Sequence, residues 1–474
     1  MRDRSLNPSR LTIIALFSML VLAPVAVGAS APSPNFTFAP VNLSNDSGAS
    51  TAPVVATVNS GGNQYVYIAW VDTTPGKGTV FFTVSVNGGA FKSPIEFTGL
   101  KGTANPDTSA VQIAAAGKYV YLTWKQGPAT AYAVSSNNGG SVAYGILSAG
   151  TAPGQTSGSP AGKMTSPAVS TNGTSAYFTW IDQPTVTGNE TLQFAVTHDG
   201  GLHFSSPVQI NTGASADHNA KEDENFALGH YVYVTWDSIW FSRSTNGGNA
   251  GTWSDPVQIK PTTCTFPCIG REPMIYAAGS NVYVTFPMGG YGGVSSYTTM
   301  IVVSHDHGQT FNPAQDLSTA LTNTREVQVA AYGSNVYVTS RGTLSGLKGT
   351  QQYIYVSTNS GDTFAPPVPL ATSPLSGPEN GFGGFALDQT TGNVYVQWPH
   401  GNPSQLFIAE STNSGTTWSP QQQVSSSSTG VMAMGDPDGS QGPLAAADHG
   451  HIYVVWEDTS TGNGDIYFVT ATSL

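Results

Sequence analysis

The sequence predicts an all-β protein: a β-propeller of four-stranded antiparallel blades, eight in number, closed by its own N-terminal strand. Three observations carry this reading. One aromatic, β-branched strand recurs eight times, a constant layout of strands and turns surrounds each copy, and the strand missing from the last unit stands at the start of the chain. A seven-bladed ring with one aberrant unit is the alternative.

The recurring strand is seen in Tyr65 to Trp70, Tyr119 to Trp124, Ala176 to Trp180, Tyr231 to Trp236, Val282 to Phe286, Val336 to Ser340, Val394 to Trp398 and Ile452 to Trp456. Aligned on Tyr67, Tyr121, Tyr177, Tyr233, Tyr283, Tyr337, Tyr395 and Tyr453, the copies are spaced by 54, 56, 56, 50, 54, 58 and 58 residues. Alternation with period two and enrichment in Val, Thr and Tyr are strand chemistry. A strand of small residues precedes each copy, as in Val327 to Ala331, and a Gly or Asn turn joins the two. A third strand follows, as in Tyr353 to Val356, then a tight turn and a fourth, as in Phe364 to Leu370. Four strands in a unit of this length make a propeller blade. Small side chains suit the innermost strand, where blades crowd the axis.

The last unit runs out after a third strand at Asp465 to Thr470. Asn35 to Leu43 carries the pattern of the other fourth strands, such as Thr363 to Leu370, so the N-terminal strand is expected to complete that blade. Closure of this kind leaves no open edge.

Residues 1–29 read as a signal peptide: Arg2, Arg4 and Arg10, an apolar run from Leu11 to Val27, and small residues at Val27-Gly28-Ala29. An uncleaved anchor is the alternative. Residues 30–474 are expected to form the single propeller domain, extracellular (secreted or cell-surface associated), with no membrane span after cleavage. Sequons at Asn35, Asn42, Asn45, Asn172 and Asn189 permit glycosylation. Cys264 and Cys268, spaced C-x3-C, are expected to form a small local disulfide in such a compartment.

Only 9% of residues are charged and the formal charge is −12, so nucleic acid is excluded as a partner. No phosphate loop, nucleophile elbow or H-E-x-x-H motif occurs. No cofactor is expected. Asp436 and Asp438, in a Pro-Asp-Gly turn, form a candidate structural Ca²⁺ site without the downstream Glu of a full calcium loop.

The turns between third and fourth strands share a signature. Ser304-His305-Asp306-His307-Gly308-Gln309-Thr310-Phe311 fits S-x-D-x-G-x-T-W/F, and Ser357 to Phe364 and Ser411 to Trp418 fit with Asn for Asp. Thr197 to Phe204 and Ser244 to Trp253 are looser copies. This resembles the Asp-box (BNR) repeat of the sialidase superfamily over nearly the whole mature chain. The resemblance implies a structural turn far from the active face, with His305 and His307 as solvated turn residues. It also implies three arginines around a substrate carboxylate, a Tyr nucleophile with a Glu partner, and an Asp acid/base. The mature chain has only Arg243, Arg271, Arg325 and Arg341, none in the first three units, so those roles cannot be carried over.

A second pattern is particular to this chain. Lys221-Glu222, Arg271-Glu272 and Arg325-Glu326 open the innermost strand of three consecutive blades, each Glu eleven residues before Tyr233, Tyr283 or Tyr337. Glu379 opens the next blade at a longer offset. The start of the innermost strand is expected at the channel mouth. Three readings stay open: inter-blade ion pairs that close the ring, a polar ligand site for a glycan, or catalysis by paired carboxylates. Trp240, Tyr291 and Tyr297 could stack on sugar faces or simply pack. The sequence therefore favours a module binding glycans or extracellular proteins. The alternative is a glycoside hydrolase of sialidase-like fold.

Overall fold

The computed structural model describes residues 38–74, 78–98, 100, 108–127, 129–148, 167–182, 190–213, 223–259, 261, 268–270, 272–290, 297–318, 321–344, 350–371, 383–432 and 444–472. They form eight antiparallel sheets, each built from consecutive strands ordered from the axis outward. The innermost strands are Ser50–Ser60, Thr108–Ala116, Ala168–Asn172, Glu224–Leu228, Met274–Ala278, Leu321–Tyr332, Gly384–Leu387 and Ala445–Asp448, which begin blades one to eight. Each lies beside the next, and Ala445–Asp448 lies beside Ser50–Ser60, so the ring is closed: an eight-bladed β-propeller. Blades five and eight each add a short inner piece, Cys268–Gly270 and Val431–Met432. Among the described residues there is no α-helix, only a 3-10 turn at Asp237–Ile239, and no helix long and apolar enough to cross a membrane.

Blade eight is completed from the other end of the chain. Val41–Asn42 pairs antiparallel with Asp465–Thr472, Val41 opposite Phe468 and Asn42 opposite Tyr467. The Leu43 amide donates to the Ile466 carbonyl at 2.8 Å. Asn42 Nδ2 and Ser44 Oγ donate to the two oxygens of Asp465 at 2.8 and 3.1 Å. The closure expected from the shared fourth-strand pattern is therefore present.

The second strands hold the core. Their Trp and Tyr side chains, among them Trp70, Trp124, Trp180, Trp236, Trp398 and Trp456, are the largest fully buried groups. Alternate residues of a strand face opposite ways, so each second strand packs against both neighbouring blades. Buried clusters accordingly join adjacent blades rather than filling one blade at a time. Phe286 and Ser340 replace the Trp in blades five and six.

The turns that carry the repeated signature lock the blades sideways. At Ser304–Phe311 the Gly308 amide donates to Ser304 Oγ at 2.9 Å, which donates to Asp306 Oδ1 at 2.8 Å. Asp306 Oδ1 and Oδ2 accept from the Thr310 amide and hydroxyl at 2.8 and 2.7 Å. Burial alone would raise the Asp306 carboxyl, but these bonds together outweigh it and hold it down at about 2. Gly308 has φ 75°, and a Cβ there would lie 2.6 Å from Phe241 Cζ of blade four. Only glycine permits both the left-handed backbone and this approach.

His305 is an exposed turn residue as expected, and both His305 and His307 also contact neighbouring blades. His305 bridges Asn281 of its own blade and Asp362 of blade six, at 2.8 and 2.9 Å. The His307 ring stacks on Tyr231 of blade four, centroids 4.1 Å apart. The turn tips overlap the neighbouring blades, so residues on them become inter-blade contacts.

Candidate functional site

The small residues of the innermost strands leave a channel on the axis, a cavity of about 510 Å³ lined by all eight blades. That is within the usual range for small-molecule sites. Most of the wall is Ala, Val, Gly and Leu. The polar exceptions are Thr57, Gln112, Ser170, Thr171, Glu224, Asn225, Gln328 and Gln389.

The first strands do not enter the ring as smooth strands. Ala52, Ala110, Glu272 and Glu326 all have positive φ, at 51°, 61°, 46° and 57°. Each stands four residues before the partner of its blade's reference tyrosine. In blades one, two and six the register shifts around this position, as a β-bulge does. The bulge decides which side chains face the axis. Two residues further on in blades two, five and six stand Gln112, Met274 and Gln328, which line the channel, as does Glu224 at the start of the first strand of blade four.

Of the ligand-binding residues expected from the sequence, Glu272, Arg325 and Glu326 are described, and none of these three lines the channel. Lys221, Glu222, Arg271 and Glu379 lie outside the described residues, as do Tyr291, Cys264, Asp436 and Asp438. Cys268 begins a strand paired with Asn281–Gly290. Glu326 is bound by Arg341 of its own blade, Nη1 lying 2.9 and 3.1 Å from the two carboxylate oxygens. That pair is internal to blade six and not an inter-blade clasp. Arg325 is exposed, its guanidinium 5.1 Å from the centre of the Tyr297 ring. Trp240 is buried in the cluster between blades three and four and is packing. Arg243 is at the turn end, donating to the His307 carbonyl at 2.9 Å. The three described arginines are thus separately engaged. Among the described residues no group of three His, Cys, Asp or Glu side chains could hold a metal ion.

Sequence reasoning passed over Asp223 and Glu224. Glu224 is the one carboxyl among the described residues that line the channel. Asp223 faces the other way, 1% exposed, and neither carboxyl oxygen has a hydrogen-bond partner. Burial pushes the Asp223 carboxyl up to about 7, over the weaker opposing effects of the Thr179 hydroxyl and its own amide. Burial, then the charge of Asp223, pushes Glu224 up to about 8. Beneath Glu224 on the same strand face, Phe226 packs against Tyr276 of blade five, ring centres 4.7 Å apart. Gln389 of blade seven reaches across and donates to the Tyr276 hydroxyl at 2.6 Å. A floor of two aromatic rings tied to a non-adjacent blade thus underlies a wall of amides and one carboxyl. Strand alternation from Phe226, which lies on the same face, would have found Glu224.

No family model matches the chain, and no curated protein matches it. Among solved structures it is similar to the sialidase of Trypanosoma rangeli, with 13% identity and a TM-score of 0.39, over 80% of this chain and 56% of that one. It is similar to a protein of unknown function from Dyadobacter fermentans, with 12% identity and a TM-score of 0.42, over 93% and 100%. It is also similar to an α-L-arabinofuranosidase of Fusarium graminearum, with 10% identity and a TM-score of 0.39, over 65% and 93%. The chain spans a little over half the length of the sialidase.

Proposed function

We propose that the chain is a secreted or cell-surface propeller of the sialidase superfamily, its signature turns being Asp boxes, and that it binds a glycan in the axial channel as a binding module. One observation carries this reading: a channel lined by the amide side chains of Gln112, Gln328 and Gln389 together with the Phe226 and Tyr276 rings. Amides and hydroxyls answer the hydroxyls of a sugar, and aromatic faces suit its C–H surface. The charged groups of the mouth are already engaged, Glu326 with Arg341 and Arg325 with Tyr297. A guanidinium clamp for a carboxylate needs free, convergent arginines, and the described arginines supply none. This also weighs against an exo-sialidase.

A glycoside hydrolase is the second reading, favoured by the channel-facing Glu224, whose pKa suits a general acid. Glycosidases use two carboxyls about 5–9.5 Å apart on one cavity. Asp223 is not the second, because it is buried and does not line the channel. A glycan array identifies the ligand, and fluorogenic sialosides and arabinofuranosides test turnover. Glycan binding that is lost on filling the channel, for example by Gln112→Trp, supports the binding module. Turnover abolished by Glu224→Gln would replace it with the hydrolase.

A further inference from the structure

We propose that Glu224 works as a neutral carboxylic acid, donating a hydrogen bond to an uncharged, acceptor-bearing ligand in the channel, so that ligand binding is linked to uptake of a proton. The inference rests on the glycan-binding reading and names the residue that sets its selectivity.

The geometry carries it. Glu224 lines the open axial channel and forms no hydrogen bond or ion pair among the described residues. The next residue back, Asp223, is a second carboxyl, buried and without a hydrogen-bond partner. Two adjacent carboxyls without a paired cation do not both ionise cheaply. Among the described residues, the elements packed against Glu224–Leu228 supply no cation. Met274–Ala278 brings Tyr276, Tyr231–Trp236 brings Tyr231 and Tyr233, Ser175–Asp182 brings Tyr177 and Asp182, and Ala168–Asn172 brings no titratable group. The directions of the two carboxyl shifts agree with this: burial raises both, and Asp223 raises Glu224 further.

The rest of the wall matches an uncharged ligand. Tyr276 accepts from Gln389, which leaves its own hydroxyl hydrogen to donate. Gln389 Nε2, bonded to the Tyr276 hydroxyl, is exposed on the channel wall. With Glu224 protonated, the channel offers donors without any positive charge, which suits carbonyl, ether and hydroxyl oxygens. Once Glu224 ionises, one donor becomes a buried negative charge, and a ligand bearing a carboxylate is repelled in addition.

The test uses the full mature chain with a panel of neutral methyl glycosides and the matching uronic acids, followed by ligand-observed NMR and calorimetry from pH 6 to pH 9. Neutral members should bind in preference to their uronic acids, and wild-type affinity should be about tenfold weaker at pH 9 than at pH 7, as the competent fraction falls. Glu224→Gln keeps a donor without a titrating proton and should bind with a flat pH profile, while Glu224→Ala should bind poorly at every pH. The infrared difference between wild type and Glu224→Gln should contain a protonated carboxyl band at pH 7 that is gone at pH 9. Glycoside binding that strengthens toward pH 9, a uronic-acid preference, or no protonated band at pH 7 overturns this inference and leaves the glycan reading standing. Failure of every glycoside to bind at any pH rejects both.

Discussion

Arg341 Nη1 sits 2.9 and 3.1 Å from the two carboxylate oxygens of Glu326, joining the second and first strands of blade six where the first strand bulges. The guanidinium is 3% exposed and the carboxylate 17%, so the pair is largely shielded from water. Glu326 has φ 57°, a conformation that non-glycine residues adopt only when something holds them there. The ion pair is one such restraint.

Removing one partner of a buried pair strands the other. Arg341→Ala is expected to lower stability by about 3–5 kcal/mol. Arg341→Met with Glu326→Leu should lose markedly less, because apolar replacement of both members is often neutral. Arg325→Ala, which removes an exposed guanidinium over Tyr297, should cost only about 0.5–1 kcal/mol. Thermal unfolding of the three variants ranks them. An Arg325 variant less stable than the Arg341 variant would refute the assignment of partners.

The raised carboxyls predict how stability depends on pH. Asp223, Glu224 and Glu457 titrate in the folded protein at about 7, 8 and 7, each chiefly through burial. Unfolded carboxyls titrate near 4. Between those values the folded state holds more protons, so stability falls as pH rises from about 4 to 8. Asp306 and Asp388 work in the opposite sense, since hydrogen bonds depress both, and their stability is lost as pH drops below 4. Thermal stability should therefore peak near pH 5 and decline by pH 8.5. Asp223→Asn should flatten the decline and gain on the order of 1–3 kcal/mol at pH 8.5. A variant that melts below wild type at pH 8.5 would contradict the direction of the shift.

The blade number, the strand order and the closing strand were legible because they rest on repetition and on period-two alternation, as in Tyr67, Tyr121 and Tyr177. The site was less legible for a related reason. The repeated pairs at Arg271-Glu272 and Arg325-Glu326 drew attention by their constant offset, yet the two glutamates occupy a left-handed bulge that Ala52 and Ala110 occupy equally well. What repeats there is a backbone feature. Glu224 occurs in one blade only, so repetition could not reveal it. In blades one, two and six a bulge shifts the phase of the alternation near this position, and no residue type marks that bulge. Arg341 was counted among the arginines, but its partner lies fifteen residues away across a hairpin whose register is interrupted twice.

The glycines of the signature turns give a third prediction. A Cβ at Gly308 would sit 2.6 Å from Phe241 Cζ, and one at Gly415 would sit 2.8 Å from Val356 Cγ2, both at positive φ. Gly308→Ala and Gly415→Ala should each cost about 1–3 kcal/mol, combining backbone strain with overpacking. Gly229→Ala, at φ 61° with open space around it, should cost only the backbone share, on the order of 1 kcal/mol. Equal losses at all three sites would show that the blade contact contributes nothing.

The last prediction concerns closure. Blade eight is held to the chain's first described strand by two residue pairs and the Leu43–Ile466 bond. Phe38 and Leu43 also pack against the core of blades eight and one, and the side-chain hydrogen bonds of the strand converge on Asp465. That carboxyl is buried, accepts from Asn42 and Ser44, and the Ile466 amide donates to Ser44 Oγ at 3.0 Å. Asp465→Ala removes two charge-assisted bonds and leaves Ser44 to solvent, a loss of about 2–4 kcal/mol. The effect should be local before it is global, because the third strand of blade eight then becomes a loosely covered edge. Amide exchange should therefore accelerate first at Ile466, Tyr467 and Phe468, while the second strand of blade four, Tyr231–Trp236, stays protected. Deleting residues 38–43 should produce the same pattern more strongly and promote self-association through the freed edge. A deletion variant that stays monomeric and melts with wild type would show that the ring does not depend on its N-terminal strand.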